Sequence, residues 1–534
     1  MASLDGISLH EQGRVAEAEA SFRRALAADP TLVDVMNNLA NLLRESGRLE
    51  EAEALLRQAL ELAPGLAEAH LNLGNVLRMR GRLEEAERSC WRALSLNPRF
   101  AEAYVGFALV LQALGRLPNA EQALREALLL RPGHLDTQVR LGNLLWEAGR
   151  WPEAEQQFVA AISAHAITAP AHNNVGIAFS ALGRIEDAEE SYRRALAIEP
   201  GFSGAQGNLG NALRDQGRLE EAGACFREAL RLAPAEAGAH LNAAIHHLLR
   251  GDYAAGWPEY EWRWRDRSLR PDRRAFAQPL WTGKEDLRGK TILLHAEQGL
   301  GDTVQFARYA PLVAQKGARV MLEVQPLLAP ALAGMEGVEQ VIAAGDALPA
   351  ADFHCPLMSL PLAMGTDSLT KIPSPGGYLS PASLPAGGER LVGLCWKGNP
   401  RNRIDRSRSA RLADFLPLLA IPGVKFVSLQ QSLDAEEYAL VAGHANFVHE
   451  DMAFKDKAAL VGTLDLVISV DTVWAHWAGA IGKPLWAALS FVPAWCWLLD
   501  RADSPWYASA RLFRQHSRGD WAGVVTDLCE ALPP

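Results

Sequence analysis

The sequence predicts an array of paired α-helices over residues 1–250 and an α/β region of two doubly wound halves over residues 291–534. Two observations carry this prediction. A glycine recurs every 34 residues in the first part, and apolar runs alternate with helical patterns in the second. Because a chain of 534 residues is too long for a single hydrophobic core, we expect several domains.

The repeated glycine keeps its register without insertion or deletion, at Gly13, Gly47, Gly81, Gly115, Gly149, Gly183, Gly217 and Gly251. In the first seven units an alanine follows five residues later and a large side chain or Cys90 four residues after that, a spacing that marks one face of a helix. A proline, which cannot continue a helix, closes each unit except the one at Ala166. The pattern predicts about seven helical hairpins and a closing helix.

This pattern resembles the tetratricopeptide repeat family, whose arrays coil into a superhelix lined by the first helix of each pair. Asparagines recur on that helix, at Asn38, Asn72, Asn174, Asn208 and Asn242 and, three residues later, at Asn41, Asn75, Asn143 and Asn211. Gly106 and Arg140 interrupt the first row. An amide offers both donors and acceptors, so the rows are predicted to bind the main chain of an acceptor polypeptide. The resemblance extends to O-linked N-acetylglucosamine transferases, which carry a similar row. Hydrogen bonding between repeats, without a ligand, is the alternative.

Residues 251–290 form a connector rich in tryptophan and arginine, including Trp257, Trp262, Trp264 and Trp281. Aromatic side chains with polar tips suit a compact joint between two domains. The alternative, stacking on nucleic-acid bases, is disfavoured because the net charge is −10 and a nucleic-acid surface is normally basic. We expect no nucleic-acid partner.

The α/β region divides into a first half over residues 291–370, a hinge rich in Pro, Gly and Ser over 371–390, and a second half over 391–534. The first half has predicted strands over 291–295, 319–324 and 351–360, with a helix over 303–316. The second has predicted strands over 391–396, 425–429 and 465–470, with a helix over 412–419 and another ending near 482. Alternating strands and helices predict parallel sheets, whose ligands bind at the carboxyl ends of the strands.

Two motifs follow predicted strands, one in each half. The first is Ala-Glu-Gln-Gly-Leu-Gly-Asp-Thr over 296–303, and the second begins Ser-Val-Asp-Thr at Ser469 and continues through His476 to Gly-Lys-Pro over 482–484. Over about residues 285–534 they resemble the bacterial heptosyltransferase-like group, glycosyltransferase family 9. The resemblance implies a GT-B fold of two Rossmann-like halves, with the acceptor on the first and a nucleotide sugar on the second. Val473 and Trp474 stand where that group usually has a small residue. The resemblance is therefore not taken to imply that the transferred sugar is a heptose.

The resemblance implies that Asp302 is the catalytic base. Its position at a helix start stabilises the carboxylate anion, which predicts a weaker proton acceptor, and capping of the helix is the alternative role. The residues predicted to bind the nucleotide sugar are Gln298, Gly299, Gly301, Lys397, Asn399, Arg403, Asp471, Thr472 and His476.

Lys397 and Arg403 belong to a basic loop over residues 397–411 that contains a single acid, Asp405. Such a loop can hold the departing diphosphate, although a solvated surface loop is the alternative. Thr472 and the helix start after it offer a hydroxyl and backbone N–H groups to anionic oxygen. A buried structural role for His476, with Asp471 as a helix cap, is the competing interpretation.

The sequence therefore predicts a glycosyltransferase that transfers a sugar from a nucleotide-sugar co-substrate to a hydroxyl of a bound protein, with inversion. We expect no metal, because the chain lacks an Asp-x-Asp triad, and no other cofactor. A polar N-terminus without an apolar signal core predicts a cytoplasmic protein without a membrane span, and a homo-oligomer is left open. The alternatives are a non-catalytic repeat scaffold with a degenerate transferase-like domain and, disfavoured by the missing third glycine of the dinucleotide motif, an oxidoreductase.

Overall fold

The computed structural model describes residues 2–11, 14–163, 168–265, 274, 276–374, 376–379, 390–399 and 405–532. The chain divides into two compact units, one over residues 1–200 and the other over residues 201–265 and 274–534. In the described part of the chain, no helix combines the length and the apolar character needed to span a membrane.

The first unit consists of consecutive helical hairpins. Its helices are α1 Ala2–Glu11, α2 Val15–Ala28, α3 Val33–Glu45, α4 Leu49–Leu62, α5 Ala67–Met79, α6 Leu83–Leu96, α7 Ala101–Ala113, α8 Leu117–Leu130, α9 Leu135–Glu147, α10 Trp151–Ser163, α11 Ala169–Ala181 and α12 Ile185–Ile198. From Gly47 onward the repeated glycine lies in the turn inside each hairpin, and at Gly47 it takes a φ of 75°, which favours glycine over other residues. Gly13 lies outside the described residues. The 34-residue period therefore corresponds to one hairpin, as predicted.

A second glycine on the first helix of several hairpins lets the two helices approach closely. A Cβ added at Gly142 would lie 2.6 Å from Cε1 of Phe158, and one at Gly176 would lie 2.5 Å from Cε1 of Tyr192. The aromatic ring of the second helix thus occupies the space that a side chain on the first helix would need. This packing explains the large residue at that repeat position.

Ion pairs recur between neighbouring hairpins with the same period. An arginine in the turn reaches a glutamate on the second helix of the preceding hairpin, as in Arg48–Glu19 (2.7 Å), Arg82–Glu53 (2.6 Å), Arg116–Glu87 (2.6 Å) and Arg150–Glu121 (2.7 Å). The arginine side chains are 37–51% exposed, so solvent screening keeps the contribution of each pair small, although Glu53 is buried. Their regular spacing nevertheless explains why arginine follows the repeated glycine.

The second unit begins with two further hairpins, formed by α13 Ser203–Asp215, α14 Leu219–Leu232, α15 Ala237–Leu249 and α16 Tyr253–Tyr260. The predicted closing helix, α15, therefore has a partner in α16, which belongs to the predicted connector. A 3₁₀ turn over Glu261–Trp264 follows directly. Trp257 on α16 is buried in one core with Phe306 and Trp495 of the α/β region, as a compact joint requires.

Two parallel sheets complete the second unit. The strands are β1 Thr291–His295, β2 Arg319–Val324, β3 Gln340–Ala343, β4 Phe353–Pro356, β5 Arg390–Cys395, β6 Val424–Ser428, β7 Phe447–Val448, β8 Leu466–Val470, β9 Leu485–Leu489 and β10 Ala510–Arg514. The first sheet has the order β3-β2-β1-β4 and the second the order β10-β9-β8-β5-β6-β7. The described strand pairs are parallel, which is compatible with the predicted α/β class. Strands β3, β7, β9 and β10 were not among the predicted elements.

The helices of this α/β region are α17 Leu300–Ala307, α18 Ala310–Gln315, α19 Ala329–Leu332, α20 Leu360–Ala363, α21 Asp405–Arg408, α22 Leu412–Leu419, α23 Ala435–Val441, α24 Phe454–Val461, α25 Val473–Ala480 and α26 Trp521–Ala531. The single helix predicted over 303–316 is two helices, because Pro311 lacks the N–H needed to continue α17 and instead stands in the first turn of α18. The strand predicted over 351–360 ends at Pro356, and helix α20 begins at Leu360.

Candidate functional site

The two sequence motifs meet where helix α17, after β1 of the first sheet, packs against helix α25, after β8 of the second. Gly301 on α17 faces His476 on α25, and a Cβ added at Gly301 would lie 2.7 Å from Cδ2 of His476. Both helices start beyond the carboxyl ends of parallel strands, where α/β proteins bind ligands. The structure thus brings together residues that lie more than a hundred positions apart in sequence.

His476 connects this contact to a buried group of polar side chains. Its Nδ1 lies 2.8 Å from the hydroxyl of Tyr507, and its Nε2 lies 3.5 Å from Oδ1 of Asp471. On the other side of Asp471, NH1 of Arg408 approaches Oδ2 at 3.9 Å. Burial opposes ionisation of Asp471, but the hydrogen bond from His476 and the charges of His476 and Arg408 hold the pKa of this carboxyl below its ordinary value.

Asp302 lies in the first turn of α17, where its carboxylate accepts a hydrogen bond of 3.1 Å from the N–H of Gly299. It therefore has the capping role offered as the alternative. Burial and the nearby charge of Asp471 raise the pKa of Asp302 above its ordinary value, against the opposing influence of His476. The helix-start argument predicts a lowered pKa for this carboxyl, whereas burial and the charge of Asp471 raise it.

This raised pKa predicts an acidic limb in the pH profile of any activity that uses Asp302 as a base. A base must be ionised, so the rate should fall as the pH drops through the pKa of Asp302. The midpoint of kcat/KM should lie above about 3.9, the ordinary pKa of an aspartate. A midpoint at or below that value would contradict the assignment, and the limb should be absent from the residual activity of Asp302→Asn.

Gln298 is turned toward the connector. Its side-chain Nε2 donates to the hydroxyl of Tyr260 at 2.6 Å, and its main-chain carbonyl oxygen accepts from Nε2 of Gln325 at 2.6 Å. Thr303 in turn donates to Oε1 of Gln325 at 3.0 Å. The side chain of Gln298 therefore holds the loop before α17 in place, which differs from the predicted direct contact with a nucleotide sugar.

Thr472 caps helix α25, since its Oγ1 accepts from the N–H of Trp474 at 3.3 Å and lies 2.9 Å from Oγ of Ser469. The cap is therefore Thr472, and the alternative in which Asp471 caps this helix is wrong. Lys397 forms ion pairs with Glu437 at 2.6 Å and with Asp434 at 3.7 Å. Its ammonium is bound by these carboxylates.

The basic loop is described only in part. Arg403 lies outside the described residues, whereas Asn399 is described and exposed. Among the loop residues that the structure describes, Arg408 reaches the candidate site, and it also pairs with Asp405 at 3.2 Å. The sequence pattern included Arg408 only within the range of the basic loop and missed Tyr507, for which no local motif gives a signal.

The asparagine rows lie on the first helix of each hairpin, and all nine amides are half-buried. Gly74 on α5 faces helix α6, the second helix of its hairpin. Successive helical residues are about 100° apart, so Asn72 lies about 160° around α5 from Gly74, on the side away from α6. At least four of the nine amides bond to a neighbouring hairpin, in the pairs Asn72–Asn37 (2.8 Å), Asn174–Asp136 (3.4 Å) and Asn211–Asn242 (3.2 Å). Such a bond uses one donor of an amide that has two donors and an acceptor, so bonding between repeats leaves capacity for a ligand.

The hairpins are repeats of the tetratricopeptide type, and an α/β region follows them in the chain. Residues 7–247 match the family model of the cilia and flagella-associated protein 70 C-terminal domain. Among curated proteins the chain is similar to Protein FlbA of Caulobacter vibrioides, with 28% identity over 336 residues that cover 53% of each protein. The chain thus spans about half the length of this relative.

Solved structures with similar repeats include YrrB, described as a TPR protein with an unusual peptide-binding site. It is 27% identical, with a TM-score of 0.24 over 34% of this chain and 95% of YrrB. A tetratricopeptide repeat protein from Parabacteroides merdae is 18% identical, with a TM-score of 0.37 over 46% of this chain and 97% of that protein.

Proposed function

We propose that the protein is a glycosyltransferase with a GT-B fold that moves a sugar from a nucleotide-sugar donor to a hydroxyl of a polypeptide held by the repeat array. The observation that carries this proposal is the meeting of Asp302 with His476 and Asp471 between the two parallel sheets. The pKa of Asp302 is raised and that of Asp471 is lowered. Such a pair is typical of a site in which one carboxyl accepts a proton and the other stays ionised.

In the proposed reaction, Asp302 takes the proton of the acceptor hydroxyl while that oxygen forms a bond to the anomeric carbon of the sugar. The bond between this carbon and the diphosphate breaks, and the nucleoside diphosphate leaves with the electron pair. Attack from the side opposite the leaving group inverts the anomeric configuration. Arg408 supplies positive charge on the side of Asp471, where it can offset the charge of the leaving diphosphate.

A thermal-shift screen with UDP-, GDP-, dTDP- and CMP-sugars, and with NAD and NADP in parallel wells, tests the donor site. We expect a rise in melting temperature with one class of nucleotide sugar, because a ligand that binds the folded state stabilises it. A rise with NAD or NADP alone would favour the oxidoreductase. Transfer to protein is then measured by the mass added to an acceptor.

A second candidate function is a non-catalytic scaffold whose transferase-like domain has degenerated. The observation that favours it is the ion pairing of Lys397 with Glu437 and Asp434, which occupies a cation predicted to hold the diphosphate. This candidate predicts that no nucleotide sugar raises the melting temperature. It would also leave the repeat array as the only binding surface.

Replacing Asn38 and Asn75 together with alanine should raise KM for the protein acceptor roughly 30-fold, with little change in kcat. Each lost hydrogen bond to the acceptor main chain is worth about 1 kcal/mol, and uniform binding affects KM alone. The matched control is Asn97→Ala, because Asn97 is an exposed residue at the end of α6. Equal KM values for the double variant and the control would remove the asparagine rows from acceptor binding.

A further inference from the structure

Arg263, in the 3₁₀ turn that follows α16, is a cation buried outside the group of residues described above. Its side chain is 2% exposed, and it pairs with Glu297, whose side chain is also 2% exposed. Removing a buried charge from water is costly unless hydrogen bonds replace the lost hydration. Its partners therefore indicate what this arginine holds.

Each N–H group of Arg263 has a hydrogen-bond partner. Nε and NH2 donate to the two carboxylate oxygens of Glu297 at 3.0 and 2.9 Å, which is a bidentate pair. NH1 donates to the carbonyl of Tyr260 at 3.0 Å and to Glu261 at 2.6 Å, and NH2 also donates to Ser359 at 2.7 Å. A guanidinium has five N–H donors, and these bonds use all of them.

Aromatic rings enclose the same guanidinium. Its carbon lies 4.7 Å from the ring centre of Tyr260 and 4.7 Å from that of Trp264. Stacking and a bidentate fork together fix both the position and the plane of the group. Lysine, a compact cation without a planar fork, cannot reproduce this arrangement.

The residues that the connector holds stand directly before the loop of the candidate site. Glu297 is bound by Arg263, and its neighbour Gln298 donates to the hydroxyl of Tyr260. Gly299, Leu300, Gly301 and Asp302 follow without interruption. Displacement of Glu297 would therefore displace the start of α17 and, with it, the carboxyl of Asp302.

We propose that Arg263 is a positioning residue, which holds Glu297 and so fixes the loop that carries Asp302. The link to catalysis rests on the function proposed above. The contact between Arg263 and Glu297 that holds the loop, here called the brace, is a property of the folded chain. It gives the connector a role beyond joining two domains, because the last helical hairpin and the loop share one hydrogen-bonded network.

The ion pair also sets the charge near Asp302. The groups that act electrostatically on this carboxyl are His476 and Asp471 from the second sheet and Glu297 from the loop, and the hydroxyl of Tyr260 and the thiol of Cys496 lie within the same range. Glu297 favours protonation of Asp302, and Arg263 compensates that charge. Removing the charge of Glu297 should therefore lower the pKa of Asp302.

Hydrogen exchange on the full chain tests the brace without reference to activity. Arg263→Lys should speed exchange of the amides of Gly299 and Thr303, which donate at 3.1 Å to Asp302 and to the carbonyl of Gly299, about tenfold, the effect of losing one hydrogen bond to a charged group. The control is Arg265→Lys, because Arg265 is an exposed arginine of the same connector that stacks on Trp262. Equal exchange in both variants would overturn the brace. If Arg263→Lys does not fold, the same measurement on Glu297→Gln, which removes the charge from the Arg263–Glu297 pair, decides the question.

The pH profile tests the link to catalysis. Glu297→Gln keeps the size of the side chain and removes its charge, so the acidic limb of kcat/KM should move to lower pH, whereas a purely structural loss would lower kcat/KM without moving the limb. If the limb stayed at the same pH or moved to higher pH, the charge of Glu297 would not raise the pKa of Asp302, and this electrostatic effect would be overturned. If the unmodified protein transfers no sugar, the proposed function fails, while the exchange experiment still decides whether Arg263 fixes the loop.

Discussion

Asp302→Asn is expected to lower kcat by about 100-fold or more, because the amide keeps the shape of the carboxylate but cannot accept the proton of the acceptor hydroxyl. The change should not reduce stability near neutral pH. Since the pKa of Asp302 is raised in the folded state, ionisation of this carboxyl as the pH rises costs folding free energy, and asparagine removes that cost. Turnover of a nucleotide sugar and the melting temperature are the two measurements.

The matched control for this variant is Asp456→Asn. Asp456 also stands in the first turn of a helix, α24, but it is exposed. It should lose neither activity nor more than about 0.5 kcal/mol of stability. Full turnover by Asp302→Asn would contradict the role of Asp302 as the base. Equal losses of turnover in the two variants would indicate that the loss in Asp302→Asn comes from helix capping and not from a catalytic role.

Trp257→Ala is expected to have the largest effect on stability, a loss of about 3–5 kcal/mol in the free energy of unfolding. Trp257 is 1% exposed, and its ring lies 5.3 Å from that of Trp495 and 6.1 Å from that of Phe306. Alanine would leave a cavity where α16 meets the α/β region. Guanidinium-induced unfolding, followed by circular dichroism, measures the loss.

Trp91→Ala is the control of the same residue type, because Trp91 on α6 is 61% exposed. Its free energy of unfolding should change by no more than about 0.5 kcal/mol. A small loss for Trp257→Ala would mean that α16 joins the α/β region without sharing its core. The predicted joint would then be a loose connector.

The sequence alone determined the helical array. Gly47 and its equivalents and the alanines repeat without a gap, the closing prolines are interrupted once, at Ala166, and each acts within its own hairpin, where local spacing and backbone geometry decide the structure. The same local reasoning placed the parallel strands β1, β2, β5, β6 and β8 to within about two residues. It also found both motifs of the candidate site, because each follows a strand directly.

Only the tertiary structure decided how those motifs act on each other. The pKa of Asp302 is set by burial and by Asp471, and the position of its loop is set by Arg263, residues that are distant in sequence. Desolvation and charge coupling depend on distance through space, so no spacing along the chain encodes them. For this reason the helix-start argument gave the wrong direction for Asp302, and the role of Arg263 emerged only once α16 was seen packed against the loop before α17.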